Sequence, residues 1–123
     1  MSLSDKQIDE AKAEANLPYP WHEHNDCIRM CYEWLSAQKT TKSKRQADWK
    51  HFVEDWCGRH VTEDDMKVAA LLHPDIERDG AKLNISKRLV LPSFERLSGI
   101  GEAKKHCAYM DEDYKLIYAS REG

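Results

Sequence analysis

Apolar residues recur at helical spacing through the first part of the chain. Ile8, Ala11, Ala15 and Leu17 form a thin stripe behind Ser4, which predicts a polar first helix capped by that serine and running to Asn16. Pro18, Tyr19 and Pro20 end it, and Trp21 is the side chain expected to anchor the next linker on the core. Cys27, Ile28, Cys31, Trp34 and Leu35 make a clean amphipathic stripe, predicting a second helix over 25–38. Ser43 is the expected N-cap of a third helix, with Trp49, Phe52, Val53 and Trp56 on its buried face and Gly58 just past its end. Trp49, Phe52 and Trp56 are expected to pack on Ile28, Cys31 and Leu35. Thr62 opens a fourth helix, with Asp65 in the place a capping box gives to glutamate. Met66, Ala69, Ala70, Leu72 and His73 are its inner stripe, and Pro74 stops it.

After Pro74 the period changes from helical to alternating. Leu83, Ile85, Leu89 and Leu91 interleave with Lys82, Asn84, Ser86 and Arg88, interrupted at Lys87, which predicts a strand. Residues 93–98 are read as a short helical turn closed by Gly99, and 106–110 with 114–119 as a β-hairpin around Asp111, Glu112 and Asp113. The fold class predicted is α+β: three to four helices in the N-terminal two-thirds, then a small antiparallel sheet ending in that hairpin.

A chain of 123 residues suits one domain and can bury a core without disulfides or a metal. Charged residues are 33% of it, an excess assigned to exposed helix faces, because four tryptophans and five tyrosines need a core to bury them. Residues 1–3 and 122–123 resemble cloning remnants, leaving 4–121 as the expected domain. No apolar run approaches the roughly 18 residues of a membrane span. The polar, acidic start offers no secretory signal, so a cytoplasmic protein without membrane contact is expected. In that compartment Cys27, Cys31, Cys57 and Cys107 are expected to be reduced.

Possible metal chemistry centres on His22, His24, Cys27 and Cys31, and on the pair Cys57 and His60. A structural zinc site needs four converging ligands. Cys27 and Cys31 lie on the same stripe as Ile28 and Trp34, where a thiol behaves as a small hydrophobe, so no metal and no other cofactor is expected. His106 and Cys107 are neighbours on an expected strand and would face opposite ways. No phosphate loop or nucleophile elbow occurs, and no catalytic residue is assigned; the chain is not read as an enzyme. The third and fourth helices have the size of a helix-turn-helix, yet Glu63, Asp64 and Asp65 would lead into the groove, so an ordinary helical hairpin is expected.

A net charge of −3 gives no global pull toward nucleic acid. The charges are nevertheless segregated. Lys39, Lys42, Lys44 and Arg45 stand around Ser43 with no acid among them, while acids gather at 5–14, 63–65 and 111–113. Further on, Leu97, Ser98, Gly99, Ile100 and Gly101 resemble the hairpin of the helix-hairpin-helix motif: Gly99, Ile100 and Gly101 match its Gly-apolar-Gly turn, and Phe94 and Leu97 its preceding apolar positions. The resemblance covers only this short stretch. It departs at Pro92, which shortens the first helix, and at Lys105, where a small residue is usual. It implies backbone N–H groups offered to a phosphate, with Lys104 and Lys105 adding charge. Lys39, Lys42, Ser43, Lys44, Arg45, Gly99, Gly101, Lys104 and Lys105 are therefore the candidate phosphate-binding residues of a non-enzymatic accessory or regulatory protein whose partner is nucleic-acid backbone. The alternative is a protein–protein interaction module in which Tyr19, Trp21 and a helix face meet a partner.

Overall fold

The computed structural model describes residues 3–105 and 112–123. Helix α1 (Asp5–Ala15) begins at the expected N-cap, which the structure completes as a capping box: Ser4 Oγ accepts from Gln7 N while Gln7 Oε1 accepts from the Ser4 N–H. Helix α2 (Asn25–Ser36) buries Cys27, Ile28, Met30, Cys31, Trp34 and Leu35. Helix α3 (Trp49–Cys57) ends at Gly58, whose φ of 66° is the left-handed value that a side chain resists. Helix α4 (Glu63–Leu72) starts with Thr62 and Asp65 in reciprocal hydrogen bonds. It packs against α1, α2 and α3 with Val68, Ala69 and Ala70 buried. That central position makes it a core helix.

Two sheets follow, and the chain is α+β with its helices mainly N-terminal. Strands β1 (Thr40–Arg45), β3 (Lys82–Ile85) and β2 (Arg78–Asp79) form an antiparallel sheet in the order β1-β3-β2. Strands β4 (Val90–Leu91) and β5 (Ser120–Arg121) form a short parallel pair. The alternating run of 82–91 is thus broken in two at Ser86, Lys87 and Arg88. Gln38, buried at the exit of α2, stands in for a missing strand beside β4: its Oε1 accepts from Val90 N at 3.0 Å and its Nε2 donates to Val90 O at 2.7 Å.

Three expectations need correction. Residues 39–45 are an edge strand with its approach, not a helix-leading linker, and Ser43 caps nothing: α3 starts six residues later, after Asp48. The second arm of the expected hairpin is instead a 3-10 turn, Glu112–Ile117, and the first arm, 106–110, lies outside the described residues together with Cys107. Trp21 anchors its segment mainly by backbone: its N–H donates to Asp64 Oδ2 at 2.9 Å and its C=O accepts from Thr62 Oγ1 at 2.7 Å, while its side chain, 59% exposed, meets the His60 ring, 5.6 Å between centres, and is not buried in the core. Residues at both ends take part in the hydrogen bonding. Leu3 O accepts from Arg29 Nε, and Glu122 holds Arg96 Nε and Nη2 at 2.7 and 2.6 Å.

Candidate nucleic-acid interface

The pairing of β1 with β3 builds a cationic surface. Thr40 pairs with Ile85 and Arg45 with Leu83, so five steps along β1 match two along β3 and the intervening residues arch outward. Lys42, Ser43 and Lys44 are exposed on that arch, and Thr41 Oγ1 closes it by donating to Ser43 O at 2.9 Å. Ser86 N donates to Lys39 O, which brings Lys39 beside the turn carrying Lys87 and Arg88. Together, residues 39–45 and 82–88 hold Lys39, Lys42, Lys44, Arg45, Lys82, Lys87 and Arg88, and no acid.

These cations differ in what they already do. Arg45 is committed to the fold: Nε donates to Ile85 O and Nη2 to Ser86 O, both at 3.0 Å, and its guanidinium lies 4.9 Å from the Trp49 ring centre. Lys44 Nζ is 3.6 Å from Glu77, a partly exposed pair worth little on its own. Among the described residues, no hydrogen bond or ion pair occupies the side chains of Lys39, Lys42, Lys82, Lys87 or Arg88. Sequence alone does not single out the last three. Lys82 and Arg88 look there like the polar half of an alternation, and their role depends on the pairing with 39–45.

The second predicted segment sits elsewhere. Gly99 has φ 84°, as a glycine turn requires, but the anion at this turn is the protein's own. Asp26 Oδ2 accepts from Glu102 N at 3.2 Å and lies 3.7 Å from where a Cβ on Gly101 would stand. Lys104 takes φ 64°, donates its N–H to Cys57 O at 2.7 Å and rests its Nζ over the Phe94 ring. Lys105 is exposed at the end of the turn. Asp26 belongs to the first turn of α2 and Lys39 follows its last, so the two segments are separated by a helix of 12 residues, about 18 Å. They do not form one site.

Among the described residues, several histidines and the cysteines are engaged within the fold. Cys27, Cys31 and Cys57 are buried free thiols; burial pushes Cys27 and Cys57 up to about 12 and Cys31 well above its ordinary value. A protonated buried thiol is a poor nucleophile and a poor ligand. Glu54, 2% exposed, accepts from Val61 N at 3.2 Å and lies 3.0 Å from His51 Nδ1 and 3.8 Å from His60 Nε2. Asp65, fully buried, is 2.7 Å from His22 Nδ1; burial raises its carboxyl while His22 and the Thr62 cap pull it down. Among the described residues, no group of three or more His, Cys, Asp or Glu side chains is arranged to hold a metal ion. None of the described helices is long and apolar enough to cross a membrane.

No protein-family model, curated protein or solved structure matches this chain.

Proposed function

We propose that this protein is a non-enzymatic accessory or regulatory factor that contacts the phosphate backbone of nucleic acid through the surface of residues 39–45 and 82–88. One observation carries the reading: two paired segments bring together seven cations and no acid, in a chain whose net charge is −3. Lysines on an edge strand also serve to discourage edge-to-edge pairing. That role accounts for β1 but not for Lys87 and Arg88, which follow β3 and lie on no edge. Beyond the Glu77 carboxylate beside Lys44, and Asp79 paired in register with Lys82, these cations repel one another, and a polyanion relieves that repulsion while releasing its own counterions. Contact with backbone alone predicts weak sequence dependence and strong salt dependence.

The test is a titration of labelled single- and double-stranded oligonucleotides at stepped salt. Binding whose logarithm falls linearly with the logarithm of salt, with little dependence on sequence, is the expected result. Absence of binding at tens of micromolar in low salt overturns it.

The competing reading is a protein-interaction module. It draws on Tyr19, 100% exposed at φ 47°, and on Trp21 beside it, both carried by a backbone fixed to α4 through Thr62 and Asp64. Salt separates the two readings, since an aromatic contact is nearly indifferent to it.

A further inference from the structure

Where β1 ends, the surface opens into a groove of about 360 Å³, between the start of α3, one side of α4 and the β2–β3 turn. Its walls carry three cations, Lys50, Lys67 and Arg78, and two carboxylates, Asp48 and Glu63. Its floor is apolar, formed by Met66, Leu83 and Trp49, all nearly buried. On its helical face the molecule pairs its charges with one another, as Arg29, Arg59 and Arg96 do with their carboxylates. Here it does not. Among the described residues, no side-chain hydrogen bond or ion pair engages Asp48, Lys50, Glu63 or Lys67, and Arg78 gives only one of its nitrogens, to Gly80 O.

The composition of the groove selects a ligand. Three cations against two carboxylates favour an anion, and a phosphate takes two or three such donors at once. The carboxylates suit N–H or O–H groups on the same ligand, which a bare phosphate lacks. The apolar floor suits a flat, weakly polar body. A volume at the lower end of small-molecule sites has room for one such unit and not two. The groove also continues the cationic surface: Gln46 and Ala47 line it directly after Arg45, and Lys44 pairs with Glu77, the neighbour of Arg78.

We propose that this groove binds one nucleoside monophosphate unit, with the phosphate among Lys50, Lys67 and Arg78 and the base over Met66 and Leu83. Such a unit is available as a free mononucleotide or as an unpaired residue of a single strand. The second source rests on the backbone-binding reading above, and the first does not.

The experiment follows backbone amide resonances of the intact protein during titration with AMP, with adenosine and with inorganic phosphate. AMP should shift the amides of Ala47, Gly80 and Ala81, at least about tenfold more tightly than either adenosine or phosphate. The double variant Lys67→Glu, Arg78→Glu should lose this response while its unperturbed spectrum shows an intact fold. Lys42→Gln, Lys87→Gln should keep it. Failure of AMP to shift these amides at low millimolar concentration overturns the proposal, as does equal binding of phosphate, which would mean an adventitious ion only. A short single strand should shift both the groove and β1, and a fully paired, blunt-ended duplex of two strands β1 alone. Response to AMP without any response to oligonucleotides leaves the groove standing and removes the backbone reading; the converse removes the groove.

Discussion

The helical face formed by α1, α2, residues 58–60 and residues 96–102 and the sheet formed by β1 and β3 treat charge in opposite ways. On the helical face each arginine is divided among acceptors. Arg29 bonds Asp5, Asp26 and the Leu3 carbonyl; Arg59 bonds Glu23, Glu102 and the His60 carbonyl; Arg96 bonds Glu33 and Glu122. On the sheet, Lys39, Lys42, Lys82, Lys87 and Arg88 have no such partner among the described residues. Both regions are rich in charge, so the contrast lies in how it is used. Pairing across distant segments closes the fold of the first region, and its absence in the second leaves charge available to something outside the chain.

If that division is real, stability and binding must be separable by mutation. The largest effect belongs to the core behind the helical face. Trp56 is fully buried, donates Nε1–H to Pro92 O at 3.1 Å and stacks on Phe94. Trp56→Ala should cost about 3–5 kcal/mol, a large part of the stability of a domain this size. Chemical denaturation measures it, and a near-native midpoint would show that α3 does not hold the two regions together.

Next comes an ion pair of the helical face. Arg59→Met leaves Glu23 and Glu102 without their guanidinium, and should cost about 2 kcal/mol, moderated because both carboxylates keep some contact with water. The same measurement reads it. Oligonucleotide affinity should not change, and a large drop in affinity in a folded Arg59→Met would break the proposed division.

The mirror experiment is on the sheet. Neutralising Lys39, Lys42, Lys87 and Arg88 together with glutamine should leave stability within about 0.5 kcal/mol, since none is buried or paired. It should flatten the salt dependence of binding by about one unit for each phosphate that the variant no longer engages. The sequence groups Arg45 with these cations, and the structure separates it from them. Arg45→Gln removes donors to Ile85 O and Ser86 O and the packing on Trp49, so it should cost stability as well as affinity.

What can be read in the sequence follows the range of the interactions involved. The Ser4 cap and the Thr62 capping box are local to the first turn of their helices, and both are legible as they stand. The stripe of α2 is legible because its apolar side chains repeat with the helix. Strand β1 is not: 40–45 holds no apolar residue, is exposed along nearly its whole length and arches away from its partner, so no alternation marks it. It is a strand only because β3 pairs with it. The Gly99–Gly101 turn looks like an open anion site because the carboxylate beside it, Asp26, lies far back in the chain. Gln38, Glu54 and Asp65 likewise give no signal, since a buried polar side chain is identified by partners that folding brings.

The smallest predicted effect is on pH, and it isolates the helical region because lysines and arginines do not titrate in acid. His73 caps the end of α4, with its ring 5.0 Å from that of Tyr32 and Nε2 3.1 Å from Ser36 Oγ. Burial holds its pKa below 6.5, and the neutral ring accepts from Asp75 N at Nδ1, a bond that protonation removes. Below 6.5 the unfolded chain therefore takes up this proton more readily than the folded one. Stability contributed by His73 is complete above 6.5 and declines as pH falls toward the lower folded value. Glu122 acts in a separate, more acidic window. Arg96 holds its carboxyl below 4.5, so its contribution is present above that value and is lost as pH drops through the folded one. Denaturation midpoints measured from neutral pH to about pH 3 should accordingly fall in two stages. His73→Gln should flatten the first and Glu122→Gln the second, whereas the four-fold glutamine variant of the sheet should retain both. Disappearance of either stage in that sheet variant would mean that its cations are coupled to the helical face after all.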